Sequence, residues 1–431
     1  MNEFTMKLFY LVVQFKILDF LKQKYKQSNC YCYASSDLEP ACAITSTPHR
    51  PVFIQGIQDD MKIQTAALAG LMLVTQGAFA QSSVTLYGIA DVALRFATNQ
   101  PTSAGPANRL FMTDGATTFS RWGLKGREDL GGGTSAIFDL ESGYSLTNGQ
   151  SGQQGQLFGP MSYVGLSSTT YGTLTLGRQY GTAHKFNANF DPISNGNVTP
   201  DDWEGKLLGV WFDNSAEYSN NFGPVYVESQ YSFGNQSGSV SSGSTIAAAA
   251  IYSEGTFRGG IVGQTSKDGF GHRLYGGSVG LTYAFGPARL DSYYIYARRD
   301  AGFTVSANNS GLPLANTVLI GNATTATGAQ TAVRTDHLAL LGGTYTVTPN
   351  VLLTLAGIYD WTTNVAPGQN GRTGSVYGIA DYLLSKRTDV YLEADYSHLS
   401  GAAVTDPNSP IGTFAGKSAS IGTMVGVRTR F

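Results

Sequence analysis

Ser418-Ala-Ser-Ile-Gly-Thr-Met-Val-Gly-Val-Arg-Thr-Arg-Phe431 closes the chain and alternates with a period of two. Ile421, Thr423, Val425, Val427, Thr429 and Phe431 share one face, while Ser420, Gly422, Met424, Gly426, Arg428 and Arg430 share the other. Successive side chains of a strand point to opposite sides, so one face is mostly apolar and the other polar with two arginines. A water-soluble strand would bury its apolar side in a core. A terminal aromatic with two charges on the opposite face instead fits a strand of a membrane barrel, apolar toward lipid and charged toward a wet lumen.

Earlier segments repeat the pattern. Val84, Leu86, Gly88, Ala90, Val92 and Leu94 oppose Thr85, Tyr87, Asp91 and Arg95. Trp122 and Leu124 oppose Arg121 and Lys125; Ala136, Phe138 and Leu140 oppose Asp139 and Glu141; Val390, Leu392, Ala394 and Tyr396 oppose Asp389, Glu393 and Asp395. Charge is confined to one parity, as a lumen requires. Beyond residue 80 no stretch approaches the 18 or so apolar residues of a spanning helix, so the chain crosses a membrane only as a closed sheet.

Short turns are expected at 128–133, 168–172, 221–224, 253–256, 284–287, 347–350 and 384–387. With an eighth closure through the termini they imply sixteen antiparallel strands, at roughly 22 residues per strand and connection. Polar connections expected as external loops lie near 97–117, 144–156, 181–211, 234–245, 266–272, 300–334, 362–371 and 399–417.

Met61-Lys62, an apolar run from Ala66 to Val74 and the small-x-small site Ala78-Phe-Ala80 read as a secretory signal over 61–80, giving a mature barrel of 81–431. Residues 1–60 show no alternation and read as an upstream extension from an over-called start, with a cytoplasmic or targeting segment as the alternative. All three cysteines, Cys30, Cys32 and Cys42, lie in that extension. The net charge of −2 excludes the basic footprint of a nucleic-acid binder. With 53 glycines, 24 tyrosines and 22 phenylalanines beside 13% charged residues, the composition suits tight turns and aromatic girdles.

Other chemistry finds little support. His184, His272, His337 and His398 are scattered and no pair has ligand spacing, so no metal or cofactor is expected. Gly276-Gly-Ser-Val-Gly280 formally matches a nucleophile elbow, but it leads into the strand-like Leu281-Thr-Tyr-Ala284 rather than a helix. Asp201-Asp202 lacks the spaced ligands of a calcium loop. The chain is expected not to be an enzyme.

Ser83-Val-Thr-Leu-Tyr-Gly88, Ser120-Arg-Trp-Gly-Leu-Lys-Gly126 with Glu128-Asp-Leu-Gly-Gly-Gly133, Ala136-Ile-Phe-Asp-Leu-Glu-Ser-Gly143, Tyr163-Val-Gly-Leu166, Gly172-Thr-Leu-Thr-Leu-Gly-Arg-Gln-Tyr180 and Gly426-Val-Arg-Thr-Arg-Phe431 occur in order. In this the chain resembles the general porins of Gram-negative beta-proteobacteria. The resemblance implies an outer-membrane homotrimer of sixteen-stranded barrels, each narrowed by a third loop folded inward. Its partners would be outer-membrane lipid and lipopolysaccharide, the barrel-assembly machinery, and the small hydrophilic solutes and ions that diffuse through.

By motif match, the resemblance implies that Arg121 and Arg178 are wall residues of the constriction, with Lys125 and Arg95 nearby, facing Asp191, Asp201, Asp202 and Glu204 of the loop 181–211. Arg178 shares parity with the outward Leu174 and Leu176, so it points inward only if Gly177 permits a bulge. Phe431, Val427 and Val425 match the family's assembly signal, from which Thr429 departs. Two further departures remove charge. Pro160-Met-Ser-Tyr-Val-Gly-Leu166 and Trp211-Phe-Asp-Asn-Ser215 lack arginines common in the family, which predicts weak selectivity leaning toward cations.

The function expected is passive diffusion. The alternatives are a solute-specific channel or a surface adhesin or receptor on the same kind of barrel. A plugged receptor-transporter needs about 22 strands, too many for this length, and a soluble β-sandwich has no need of an aromatic terminus.

Overall fold

Period-two alternation becomes strand throughout the computed structural model, which describes residues 82–115, 117–196, 203–305, 331–409 and 411–431. The signal segment 61–80, the extension 1–60, Asp201 and Asp202 lie outside the described residues. The strands are β1 (Ser83–Thr102), β2 (Gly105–Asp114), β3 (Arg121–Gly131), β4 (Thr134–Gly143), β5 (Met161–Ser168), β6 (Gly172–Tyr180), β7 (Trp211–Phe222), β8 (Val225–Ser232) and β9 (Thr245–Glu254). They continue as β10 (Phe257–Lys267), β11 (Arg273–Phe285), β12 (Ala288–Arg299), β13 (Arg334–Thr348), β14 (Val351–Ala366), β15 (Gln369–Leu383), β16 (Thr388–Gly401) and β17 (Ala419–Arg430). Two short helices, α1 (Thr182–Ala188) and α2 (Trp203–Leu208), lie between β6 and β7.

Each strand pairs antiparallel with its neighbours, and β17 returns to pair with β1 from Ile89↔Arg430 to Ala97↔Gly422. The seventeen segments make sixteen barrel positions, because β2 and β3 share one: β2 pairs the upper half of β1 and β3 the lower half. All seven short turns fall between paired strands as the sequence implies. Closure spares a barrel the unpaired edges that an open sheet presents to other chains. The backbone seals the seam at its end, where Phe431 N–H donates to Gly88 O and Gly88 N–H to Phe431 O, each at 3.0 Å.

Two expected loops are partly strand. Within 97–117, β1 runs on to Thr102 and turns into β2, with a register shift between Ala97 and Gln100; Asn99 takes φ +56° there. Within 362–371, β14 and β15 continue to a tight turn at 367–368. Polar residues, Gly and Pro in these stretches read as loop, yet a hairpin standing beyond the membrane band has no need of an apolar face.

Side-chain parity sorts as the sequence implies. In β1, Asp91, Ala93, Arg95 and Ala97 are buried while Leu94 and Phe96 are exposed; in β16, Asp389, Tyr391, Glu393 and Asp395 are buried while Leu392 and Tyr396 are exposed. The main apolar core lies on the inner side. Phe186, Phe190, Trp203, Leu207, Leu208 and Phe212 pack with Ile251, Val262, Leu274 and Ile295 from the buried parity of β9 to β12.

Glycines make room for that packing. A Cβ at Gly260 would stand 2.8 Å from the Phe186 ring, one at Gly280 would meet the Phe190 ring, and one at Gly276 the Leu208 side chain. The Gly276 to Gly280 motif is therefore mid-strand in β11, and its end glycines accept loop side chains. Full burial of a Leu or Phe contributes about 1.5–3 kcal/mol, so Phe186, Phe190, Leu207 and Leu208 together hold this segment by roughly 6–12 kcal/mol.

Candidate pore site

Arg178 reaches the site because β6 breaks its alternation. Gly177 takes φ +139°, and the pairing with β7 shifts between Gly177 and Gln179. The inserted residue turns Arg178 from the parity of the exposed Leu174 and Leu176 to a buried position. There its guanidinium donates to Gly159 O and, at 2.6 Å, to the Asp213 carboxylate of β7.

Arg121 on β3 lies 3.1 Å from Glu141 of β4 and stacks on Phe119, with its Cζ 4.6 Å from the ring centroid. Between the two arginines stands Trp211, in edge contact with Phe119 at 6.4 Å and 5.9 Å from the Arg178 guanidinium. The position at which the resemblance implies an arginine thus holds an indole that touches Arg178. Arg95 donates to Glu393 at 3.2 Å and to Asp395 at 2.5 Å, joining β1 to β16 across β17. Lys125 lies 5.1 Å from the Tyr87 ring centroid, and Tyr87 donates to Asp139 and Glu141.

The acids expected to answer these cations behave differently. Glu204 is 1% exposed and sits inside the loop, 2.9 Å from His184 Nδ1 and accepting from Asn187 Nδ2 at 3.1 Å. Asp191 is also 1% exposed and accepts the Ile193 N–H at 2.7 Å. The sequence reading expects both to face Arg121 and Arg178; among the described residues Glu204 meets His184 and Asn187. Glu204 joins the two helices through His184 and Asn187, and Asp191 holds the turn after α1 through the Ile193 N–H.

The sequence reading missed the acids that do pair with the wall arginines, Asp213, Glu141, Glu393 and Asp395. Their parity marks them as inward, but their partners follow only from cross-strand register. It also missed the tethers of the inward segment. Lys185 of α1 lies 2.5 Å from Glu217 and 2.8 Å from Glu228 on β7 and β8. Burial lowers the basicity of Lys185, but the carboxylates of Glu228 and Glu217 more than offset it and leave the pKa above the ordinary lysine value. Arg258 and Arg289 donate to the carbonyls of Asn189 and Pro192 from β10 and β12.

A closed sixteen-stranded antiparallel barrel with an apolar outside and ion pairs along its inside is a transmembrane β-barrel of the channel type. The family model of the Gram-negative porins matches residues 65–402, so the chain belongs to that family, whose members are outer-membrane, multi-pass barrels. An outer membrane porin of Bordetella pertussis is 40% identical over 144 residues, covering 31% of this chain and 37% of that protein. Outer membrane porin protein 32 of Delftia acidovorans is 28% identical over 275 residues, covering 58% of this chain and 74% of that one. Among solved structures, the anion-selective porin from Comamonas acidovorans superposes with a TM-score of 0.62 at 23% identity, covering 81% of this chain and 100% of that one. A trimer form of OmpT of Vibrio cholerae gives 0.57 at 14% identity, covering 81% and 99%.

Proposed function

We propose that the barrel is a passive diffusion channel of the outer membrane, passing small hydrophilic solutes and ions through a lumen narrowed by the segment 181–211, without a catalytic step. One observation carries this reading: the ion pairs of Arg95, Arg121, Arg178 and Arg428 all lie on the inward parity, beneath an outer face of exposed aliphatic and aromatic side chains. Such a wall is wet inside and lipid-compatible outside. Purified protein in planar bilayers is expected to show stepwise conductance that rises with salt concentration. Closed or absent steps in protein with barrel circular dichroism would reject the channel.

The oligomer is proposed to be a homotrimer, as in the trimer form of the Vibrio barrel. The exposed outer residues of β1, β5, β6 and β17 are mainly aliphatic, including Val84, Leu86, Val164, Leu166, Leu176 and Val425, whereas Tyr283, Phe285, Tyr345, Tyr359, Trp361 and Tyr382 ring β11 to β15. Aromatic girdles mark lipid–water boundaries. An arc poor in them suits contact between subunits. Export is proposed to remove 61–80 and leave Gln81 first, which N-terminal sequencing of the outer-membrane form tests; a mature chain carrying Met1 would overturn it.

A further inference from the structure

We infer that a run of four rings in the lumen, Phe119, Trp211, Tyr180 and His184, is a binding shelf for the flat face of a pyranose sugar, whose hydroxyls meet the ion pairs Arg121–Glu141 and Arg178–Asp213 beside it. This rests on the diffusion-channel reading above and deepens it by naming a class of solute that the pore holds in transit.

The shelf begins where the chain leaves the sheet between β2 and β3. Asp91, fully buried on the inner parity of β1, gathers the residues there. Its carboxylate accepts the Thr117 N–H at 3.0 Å, the Thr117 hydroxyl at 2.6 Å and the Thr118 N–H at 2.8 Å. Arg428 of β17 donates to the same Thr117 hydroxyl oxygen at 2.9 Å. Phe119 is thereby carried inward, and its ring meets that of Trp211 at 6.4 Å and 87°. Trp211 stands on β7, four strands round the barrel from β3, or roughly 20 Å along the wall at 4.7–4.9 Å per strand. Rings so far apart along the wall touch only because both lean into the lumen.

The run continues without a gap. Tyr180 pairs with Trp211 across β6 and β7, their rings 5.9 Å apart, and His184 of α1 stacks on Tyr180 at 5.3 Å with 10° between the planes. All four rings are half-buried, so each keeps surface open. Arg121 and Asp213 beside them are partly open too. A pyranose is amphipathic in the matching way. Its C–H groups form an apolar face that suits the negative face of an aromatic ring, and each rim hydroxyl both donates and accepts. One sugar ring can therefore accept from a guanidinium and donate to a carboxylate while it lies on the shelf. A charged solute gains less, because each guanidinium already meets a carboxylate, and an acyclic one has no flat face to lay down. Passage needs binding weak enough to release, and rings that offer one face to a moving solute meet that need.

The test records ion current through the barrel in planar bilayers while maltotriose, or a polyethylene glycol of equal hydrodynamic radius, is added. In wild type the half-blocking concentration of maltotriose is expected to be roughly tenfold below that of the polymer, the size of one or two stacking contacts. Phe119→Leu/Trp211→Leu keeps apolar bulk but removes two flat faces, and is expected to bring the two concentrations together. Equal block by sugar and polymer in wild type means steric occlusion only and overturns the shelf. An undiminished ratio in the double variant overturns it as well, and so does stronger block by benzoate than by maltotriose, which would assign the rings to aromatic anions. If the double variant does not insert, Phe119→Leu alone takes its place, since Phe119 lies outside the strands. Wild type without stepwise conductance fails the channel reading by itself. Tryptophan fluorescence then decides the shelf: a response to maltotriose that is weaker in Phe119→Leu supports it, and no response in wild type overturns it.

Discussion

Arg178 and Asp213 form a 2.6 Å ion pair between adjacent wall strands, so the guanidinium that a bulge brings into the lumen meets a carboxylate of the neighbouring wall strand. The same holds for Arg121 with Glu141 and for Arg95 with Glu393 and Asp395. Field lines between such neighbours close over a few ångströms along the wall. We propose that the net bias these three pairs put on a passing ion is small.

Unbalancing one pair should expose that bias. Asp213→Asn leaves Arg178 without its wall carboxylate and is expected to move the reversal potential in a salt gradient toward anion preference. Arg178→Ala removes the cation paired with Asp213 and is expected to move it toward cations. Local potentials of a few kT correspond to roughly severalfold changes in the ion ratio. Shifts of the same sign in both variants would show that the pair does not face the conducting path.

The seam makes a second prediction. Arg95 crosses from β1 to two carboxylates of β16, and all three side chains are nearly buried. Arg95→Ala leaves two adjacent carboxylates with no cation, a change that in buried pairs costs about 3–5 kcal/mol. Unfolding in denaturant, followed by tryptophan fluorescence, is expected to move to lower concentration by a matching amount. Arg95→Met with Glu393→Gln and Asp395→Asn should recover much of the loss, because no charge is then stranded.

The barrel was legible in the sequence because each strand carries its own evidence: alternation assigns the faces, and Gly or Pro turns count the strands. Even the break at Gly177 was visible, since Arg178 stood on the parity of Leu174 and Leu176. Residues 97–117 were misread because Asn99, Pro101 and Gly105 signal a loop, while the pairing of β1 with β2 depends on register. Glu204 is harder to read for a different reason. Its direction depends on a segment that folds back onto Gly260, Gly276 and Gly280. The signal for that fold was present in the run Ala247-Ala-Ala-Ala-Ile251, apolar on both parities where a purely wet wall would alternate.

Phe431 closes the sheet with two backbone hydrogen bonds to Gly88, and its ring lies where a Cβ at Gly88 would stand. Deleting Phe431 is expected to lower outer-membrane yield in cells at native expression, as an assembly signal implies. It also removes one rung of the seam, worth about 0.5–1.5 kcal/mol per hydrogen bond. Gly88→Val keeps the terminal aromatic but displaces its ring. If Gly88→Val reaches the membrane as wild type does while the deletion does not, the ring acts as a recognised end rather than through its packing; unchanged levels for the deletion would reject the signal.

Glu204 offers the sharpest contrast between sequence and structure. Read from the sequence, it shares with Asp202 the task of facing the wall arginines, so Glu204→Gln should shift the reversal potential toward anions. In the structure its carboxylate is enclosed by His184 and Asn187, linking α1 to α2. Glutamine keeps an oxygen for Asn187 but weakens the link to His184, since a neutral acceptor forms a weaker bond than a charged one. The expected result is an unchanged reversal potential with noisier open-channel current, because the segment packed on the inner wall is less firmly joined. Asp202→Asn, in the part of the loop outside the described residues, is expected to shift the reversal potential toward anions with little added noise. A shift for Glu204→Gln as large as that for Asp202→Asn would place the Glu204 charge in the conducting path and overturn its role as a clamp.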